Sequence, residues 1–285
     1  MLSFDQQLDI LVDAALKEDI GDGDHSTLSC IAAEAKGKAV LKIKQAGILA
    51  GIAIAEKIFR KKEPGASFIA FKKDGDTMEA GEKAFEVTAL VHTILECERL
   101  VLNCVQRMSG IATLTHQYVD KIKGYKTKIL DTRKTTPNFR LLEKEAVRIG
   151  GGMNHRFGLY DMIMLKDNHI DYCGGIEKAI GMANAYVHTK KLELGIEVET
   201  RDLEDVKKVM ASGNIQRIML DNFSPTQIKE ALKIIHGKYE TEASGGINLD
   251  NIVDYAKTGV DYISIGALIH QAKSLDLSLK AVIIE

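Results

Sequence analysis

The sequence predicts an α/β protein in two parts, an N-terminal α+β sandwich domain and a C-terminal incomplete (β/α) barrel. Three observations lead there. The first 110 residues mix helix and strand patterns without a βα repeat, which suits an α+β sandwich. From about residue 125 to 270, short apolar runs alternate with helical stretches, the signature of parallel βα units. Only six such runs are visible, and the segment is shorter than the about 250 residues that a complete eight-unit barrel occupies. A chain of 285 residues also suits two domains on a prior of roughly 150 residues each.

In chain order, Phe4 to Lys17 places Leu8, Leu11, Val12, Ala15 and Leu16 on one helical face. Asp19 to Ser26 (DIGDGDHS) reads as a Gly- and Asp-rich loop, with no Glu at the spacing that closes a calcium loop. Lys36 to Lys44 alternates as a strand and Gly51 to Lys61 is helical. Phe68 to Phe71 and Phe85 to Leu90 are strands around the turn-rich DGDTMEAGEK. A long helix follows from about His92 to Lys123, softened near Ser109-Gly110, with Leu100, Val101, Cys104, Val105 and Met108 as its apolar stripe. By pattern alone Arg99 and Arg107 on this helix are solvated charges.

In the second part the expected strands are 127–130, 162–165, 194–199, 217–220, 239–243 and 261–265. Leu203 to Met210, Pro225 to Ile235 and Leu249 to Lys257 are helix-like, the last with Asn248 as N-cap.

Composition narrows the function. A net charge of −2 argues against a nucleic-acid surface, and no apolar run reaches the ~18 residues of a membrane span. The N-terminus lacks the basic start and apolar core of a signal peptide. Cys30, Cys97, Cys104 and Cys173 form no C-x-x-C pair and no metal-ligand spacing. Cys97 and Cys104, seven apart on one helix, read as core. These features describe a reduced cytoplasmic protein.

The chemistry sits at strand ends, where α/β folds bind ligands. Arg133 and Lys134 follow the apolar run ending at Leu130, and Lys166 follows Met162 to Leu165. His155 and Arg156 come from the loop opened by Gly150-Gly151-Gly152. Cations converging on one mouth suit a small, multiply anionic substrate. Glu197 and Glu199 alternate on one strand face of GIEVET, so both can point inward. Asp221 and Asn222 close another strand. Ser244-Gly245-Gly246 and Gly266 follow the last two strands, where barrels bind phosphate through backbone N–H groups. Glu199 and Asp221 suit a Mg²⁺ ion held together with substrate oxygens, though no direct metal motif is present. A phosphorylated sugar diphosphate and a small acid would together use all three features.

The chain closely resembles the quinolinate phosphoribosyltransferase family over nearly its whole length. The resemblance is densest at ERLVLNCVQRMSGIAT, DTRKTTPNFRLLEKEAVRIGGGMNHRFGLYDMIMLKDNHI, GIEVET, LDNFSP, EASGGI and ISIGALIH. It implies an open N-terminal sandwich over 1–112, joined by the returning segment 272–285, and an incomplete barrel over 113–271. It implies transfer of phosphoribosyl from phosphoribosyl diphosphate to quinolinate with loss of CO₂, in NAD biosynthesis.

By the same resemblance Arg133, His155, Arg156 and Lys166, with Thr132 beside them, bind the carboxylates of quinolinate. Arg99 reaches the site from the other subunit of a homodimer, and assembly beyond the dimer stays open. Arg107 keeps its reading as a solvated charge. Lys134 lies between acid and sugar phosphates. Glu199 and Asp221 hold the ribose hydroxyls and Mg²⁺. Ser244, Gly245, Gly246, Gly266 and His270 hold the 5-phosphate region. The chain departs from the family pattern in three places. An extra residue separates Glu199 from Asp221, which leaves Glu197 a rival to Glu199. Met153 stands where Lys is common, and Asn138-Phe139 replace Gly-Leu. Two other readings share the scaffold: a transferase for a different acid, and a non-catalytic sensor of phosphoribosyl diphosphate.

Overall fold

A computed structural model of the chain describes residues 2–282. The order begins α1 (Phe4–Ile20), α2 (His25–Cys30), β1 (Lys36–Ile43), β2 (Gly47–Ile48), α3 (Ile52–Lys62), β3 (Ser67–Ala70), β4 (Thr77–Met78), β5 (Lys83–Leu90) and α4 (Val91–Lys121). It continues β6 (Lys128–Leu130), α5 (Arg140–Ile149), β7 (Ile163–Leu165), α6 (Asp167–Cys173), α7 (Ile176–Lys190), β8 (Ile196–Thr200), α8 (Leu203–Ser212) and β9 (Arg217–Asp221). Last come α9 (Pro225–Ile235), β10 (Glu240–Ser244), α10 (Ile252–Ala256), β11 (Tyr262–Ser264), α11 (Ala267–His270) and β12 (Leu277–Val282).

The chain folds into two units, each built from separate stretches of sequence. One gathers residues 1–116, 135–151 and 268–285; the other gathers 117–134 and 152–267. By its contacts the segment Thr135–Gly151 groups with the first unit.

In the first unit an antiparallel sheet runs in the order β12-β1-β5-β3. The C-terminal strand β12 pairs along β1 from Lys38↔Val282 to Ile43↔Leu277. Helix α1 starts at a capping box, in which Ser3 and Gln6 satisfy each other's backbone N–H groups. The expected loop over Asp19 to Ser26 is shorter in the structure. Asp19 and Ile20 finish α1, while Asp24 accepts from Thr27 N and so starts α2 at His25. Phe59, Phe68 and Phe85 form the aromatic centre, with Phe68 and Phe85 centroids 4.5 Å apart.

Helix α4 is unbroken at Ser109-Gly110, against the expected softening. Ser109 instead accepts from Ala50 N at 3.0 Å, and a Cβ at Gly110 would collide with the Lys273 carbonyl. Both residues mark close packing. Arg107 is not a solvated charge either. Its Nε and Nη2 donate to Glu143 Oε1 at 3.0 and 2.9 Å, and it also donates to the carbonyls of Ile269 and Ala272.

The second unit is a six-stranded, wholly parallel sheet in the order β6-β11-β10-β9-β8-β7. Its six strands are the six apolar runs of the sequence. Their apolar residues Ile129, Leu130, Val198, Ile218, Leu220, Ala243 and Ile263 are all buried, while β8 and β10 also carry glutamates. Five strands in chain succession, β7 to β11, with β6 pairing against β11, make the incomplete barrel. Met153 extends the β6 edge through a parallel bridge to Leu130. Short caps set the helices between strands: Asp202 accepts from Asp205 N, and Ser224 with Gln227 forms a capping box ahead of Pro225. Asn248 is not the cap of α10. Its side chain accepts from Asp250 N in a preceding turn, and Asn251 holds the N-cap position.

Candidate active site

Because every strand of the second unit is parallel, all their C-terminal ends lie on one edge. Residues 131–134 after β6, Lys166 after β7, Glu199 near the end of β8, Asp221 closing β9, Ser244 closing β10 and Gly266 after β11 therefore share that edge. A separate cavity of about 750 Å³, lined by Gln216, Glu240, Thr241 and Tyr262, sits at the start of β10 and β11, the other edge.

Two electrostatic groupings occupy the C-terminal edge. The first is cationic. Arg133 and Arg156 are near enough that burial, and then the like charge of Arg133, pull the Arg156 guanidinium below its usual range. The buried Nε of Arg133 has no hydrogen-bond partner among the described residues. Arg156 Nη1 donates to the Met162 carbonyl at 3.2 Å, while Thr132 Oγ1 accepts from Lys134 N and shapes the turn that carries both basic residues. An orphaned buried guanidinium N–H beside a second guanidinium is a poor arrangement without an anion and a good one with it.

The second grouping is acidic. Glu199 Oε2 lies 3.3 Å from Lys166 Nζ, and its other oxygen accepts from Asp167 N at 3.4 Å. Burial, then the charge of Glu199, push the Asp221 carboxyl above its usual range, against the pull of Lys166, Ser244 and Asn222. Two carboxylates on neighbouring strands supply hard oxygens for a cation or for hydroxyl groups. Glu197 does not share this position. It is fully buried, 3.0 Å from His155 Nε2, in a group that also contains Glu242 and Arg217. Both glutamates of β8 face inward, as their alternation suggests, but Glu199 is the one beside Asp221 and Lys166.

The glycine loop after β10 has a steric reason. Gly245 has φ +93°, and a Cβ there would run into the Asn222 side chain, which itself donates to Asp221 Oδ2 at 2.7 Å. Gly246 follows with φ +64°. The backbone at this point is therefore bare and close to the acidic grouping.

A family model for the C-terminal domain of quinolinate phosphoribosyl transferase matches residues 111–280, and one for the N-terminal domain matches residues 24–109. The chain belongs to the quinolinate phosphoribosyltransferase family. Among its relatives, quinolinate phosphoribosyltransferase [decarboxylating] 1b of Nicotiana tabacum is 43% identical over 95% of this chain and 81% of its own length. The probable nicotinate-nucleotide pyrophosphorylase [carboxylating] of Bacillus subtilis is 44% identical over 96% of this chain and 93% of its own. The crystal structure of NadC from Streptococcus pyogenes superposes with a TM-score of 0.92 at 41% identity, covering 100% of this chain and 99% of that one.

Of the residues that the quinolinate phosphoribosyltransferase resemblance singles out, Thr132, Arg133, Lys134, His155, Arg156, Lys166, Glu199, Asp221, Ser244, Gly245, Gly246 and Gly266 lie in the second unit. Arg99 and His270 lie in the first, both exposed, on α4 and at the end of α11. Arg99 makes no ion pair among the described residues. Asn138, at the family's usual glycine, has φ +62°, a left-handed conformation that asparagine tolerates better than most side chains. His155 is buried, its side chain 4% accessible. Burial opposes its imidazolium, but Glu197 and Glu242 outweigh that and lift the group to about 9. Sequence reading misses Glu242 and Arg217. Neither carries a pattern signal, since Arg217 opens its strand and Glu242 lies in the polar run Glu-Thr-Glu-Ala-Ser.

Proposed function

We propose that the chain transfers the phosphoribosyl group of phosphoribosyl diphosphate to quinolinate with loss of CO₂, giving nicotinate mononucleotide and diphosphate in de novo NAD biosynthesis. Family membership supports this, and so do the activities for which the relatives are named. The observation that carries it is the orphaned Arg133 guanidinium beside Arg156, on the same sheet edge as the Glu199–Asp221 pair. One half suits a dianionic acid and the other a sugar polyol.

In this reaction the pyridine nitrogen bonds to ribose C1 while the bond from C1 to the diphosphate oxygen breaks and its electron pair leaves with diphosphate. The ring becomes a pyridinium. The bond to the 2-carboxylate then breaks, CO₂ departs, the electron pair stays on the ring carbon, and a proton takes its place. No protein nucleophile is needed, so orientation and electrostatics carry the effect.

The residues divide that work. Arg133, Arg156 and Lys166, with Thr132, hold the carboxylates. His155, expected among them, turns both ring nitrogens to Glu197, Glu242 and the Arg156 N–H and so supports this group without touching the substrate. The 3-carboxylate is gripped more tightly, since a cation holding the departing group well would resist its loss. Lys134 draws on the leaving diphosphate. Glu199 and Asp221 orient the ribose hydroxyls and offset positive charge at C1. Backbone at Ser244, Gly245, Gly246 and Gly266, with His270, takes the 5-phosphate. The carboxylate pair fits Mg²⁺ as a cofactor, which when bound with the substrate neutralises diphosphate charge. We read the active form as a homodimer whose Arg99 serves the site of the other subunit, in a reducing cytoplasm consistent with four free cysteines. No helix among the described residues is long and apolar enough to cross a membrane.

The test is an assay of purified protein with quinolinate, phosphoribosyl diphosphate and Mg²⁺, following nicotinate mononucleotide and CO₂ together. Nicotinic acid replaces quinolinate in a parallel reaction. Equal amounts of both products, with the nicotinic acid reaction inert, are expected. Quinolinate bound without turnover would make the protein a sensor, and product from nicotinic acid alone would mean another acceptor.

A further inference from the structure

Beneath the sheet edge, four charged side chains from four elements form one buried group. His155 comes from the loop after Met153, Glu197 from β8, Arg217 from β9 and Glu242 from β10. His155 Nε2 lies 3.0 Å from Glu197 Oε2 and 3.3 Å from Glu242 Oε2. Arg217 Nη1 lies 3.0 Å from Glu242 Oε2 and 3.9 Å from Glu197 Oε2, with its guanidinium 4.2 Å from the centre of the Tyr262 ring. Both carboxylates are completely buried. A low-dielectric interior tolerates such groups only when their charges and hydrogen-bonding sites are matched.

The other ring nitrogen looks the opposite way. The backbone N–H of Arg156 donates to His155 Nδ1 at 2.6 Å, and the backbone N–H of His155 donates to Asp131 Oδ1 at 2.8 Å. The imidazole thus links the buried acids on one side to the backbone of Arg156 on the other. The Arg156 N–H can be accepted only by an unprotonated Nδ1, so this contact works against the pull of the two acids and favours the ring with its single hydrogen on Nε2.

We propose that Glu242 and Glu197 are positioning residues that act through His155 on Arg156, fixing the guanidinium that receives a substrate carboxylate. Arg217 pairs with the same two carboxylate oxygens and helps hold them in place. The His155, Glu197 and Glu242 ligand atoms lie close enough together to hold a metal ion. The Arg217 guanidinium already faces those carboxylates, so a bound cation would meet repulsion, and an ion-paired cluster is the use the geometry favours. The inference rests on the reading of Arg156 as a carboxylate-binding group. Charged neighbours of the ring are Glu197, Glu242 and Asp131, with Arg156 next in the chain and Arg217 paired with the two glutamates.

The experiment compares wild type with Glu242→Gln, which keeps shape and removes charge. Two readouts are taken: steady-state kinetics with both substrates, and ¹⁵N resonances of the His155 ring and the Arg156 side chain, assigned with His155→Asn and Arg156→Lys. The expected result is a KM for quinolinate raised about tenfold, the scale of losing a group that orients a functional histidine, with the KM for phosphoribosyl diphosphate nearly unchanged. The His155 and Arg156 resonances shift together. A folded variant in which the His155 resonances move while Arg156 and the quinolinate KM stay put would overturn the proposal and leave the acids a structural role. The resonances report the positioning without turnover, so a wild type inactive on quinolinate would count against the proposed reaction and not against the positioning. If Glu242→Gln does not fold, Glu197→Gln is read by the same two outcomes.

Discussion

Glu199 and Asp221 stand on neighbouring strands, near enough that the charge of Glu199 adds to burial in raising the proton affinity of Asp221. Two acids so arranged leave unsatisfied negative charge on the surface that meets the substrate. Lys166, 3.3 Å from Glu199, balances only part of it. That residual field is what a ribose with developing positive charge at C1 would meet.

Replacing Glu199 by Gln removes one source of the Asp221 shift. The direction follows from the cause: with less nearby negative charge, the ionised form of Asp221 becomes easier to reach and its pKa falls toward the ordinary carboxylate range. Carboxyl ¹³C titration without added Mg²⁺ measures this directly. Activity should drop about 100-fold, on the scale of losing one preorganised electrostatic group. An unchanged Asp221 titration in E199Q would mean that burial alone sets it.

Arg133 separates function from stability. Its buried Nε lacks a partner among the described residues, so the folded protein carries an unsatisfied donor at a cost of about 1–3 kcal/mol. Arg133→Met removes that donor while keeping the stem's length. The melting temperature should hold or rise, while quinolinate affinity falls about 10- to 100-fold for the loss of a charge-assisted hydrogen bond. Calorimetric titration with quinolinate beside a thermal melt gives both numbers. A melting temperature that falls with the affinity would show that Arg133 holds the fold instead.

Arg107 behaves in the opposite manner, and all its partners lie within the first unit. Glu143 is fully buried and accepts from Arg107 Nε and Nη2 and from Thr136 N and Oγ1. Arg107→Met leaves that carboxylate without its cation. The expected loss is about 3–5 kcal/mol, the cost of breaking a buried pair from one side. Urea unfolding measures it, and Glu143→Gln in the same background should recover part of the loss. A loss below ~1 kcal/mol would show that water reaches the pair.

The contrast between these two arginines shows what the sequence can reveal. The barrel strands are readable because short runs with buried apolar residues alternate with helical stretches, and the chain visits five of the strands in succession. The strand-end residues follow from that placement. Arg107 is not readable, because its partners lie 36 and more than 160 residues away. Glu242 and Arg217 escape for the same reason: their acid–base partners come from other strands, and composition carries no trace of them. The alternation of Glu197 and Glu199 correctly assigns both an inward face. Only the neighbouring elements separate them, His155 meeting one and Lys166 the other. Asn248 is misplaced as a cap because its side chain finds Asp250 N before the helix begins.

The role assigned to Arg99 makes a prediction about mixing. Arg99 is exposed on α4, and in the proposed homodimer it serves the other subunit's site. Arg99→Ala and Lys134→Ala should each be nearly inactive alone, since each removes one group from both sites of a symmetric dimer. Unfolded, mixed in equal amounts and refolded, they would pair at random, and half the dimers would be mixed. In a mixed dimer the site on the Arg99→Ala chain has its own Lys134 and receives Arg99 from the other chain, so it is whole. The second site lacks both groups. Random pairing therefore restores roughly one quarter of wild-type activity, as two-fold symmetry requires. Activity that stays at the level of the separate variants, with mixed dimers demonstrated by mass spectrometry, would place Arg99 in the site of its own chain or outside the reaction.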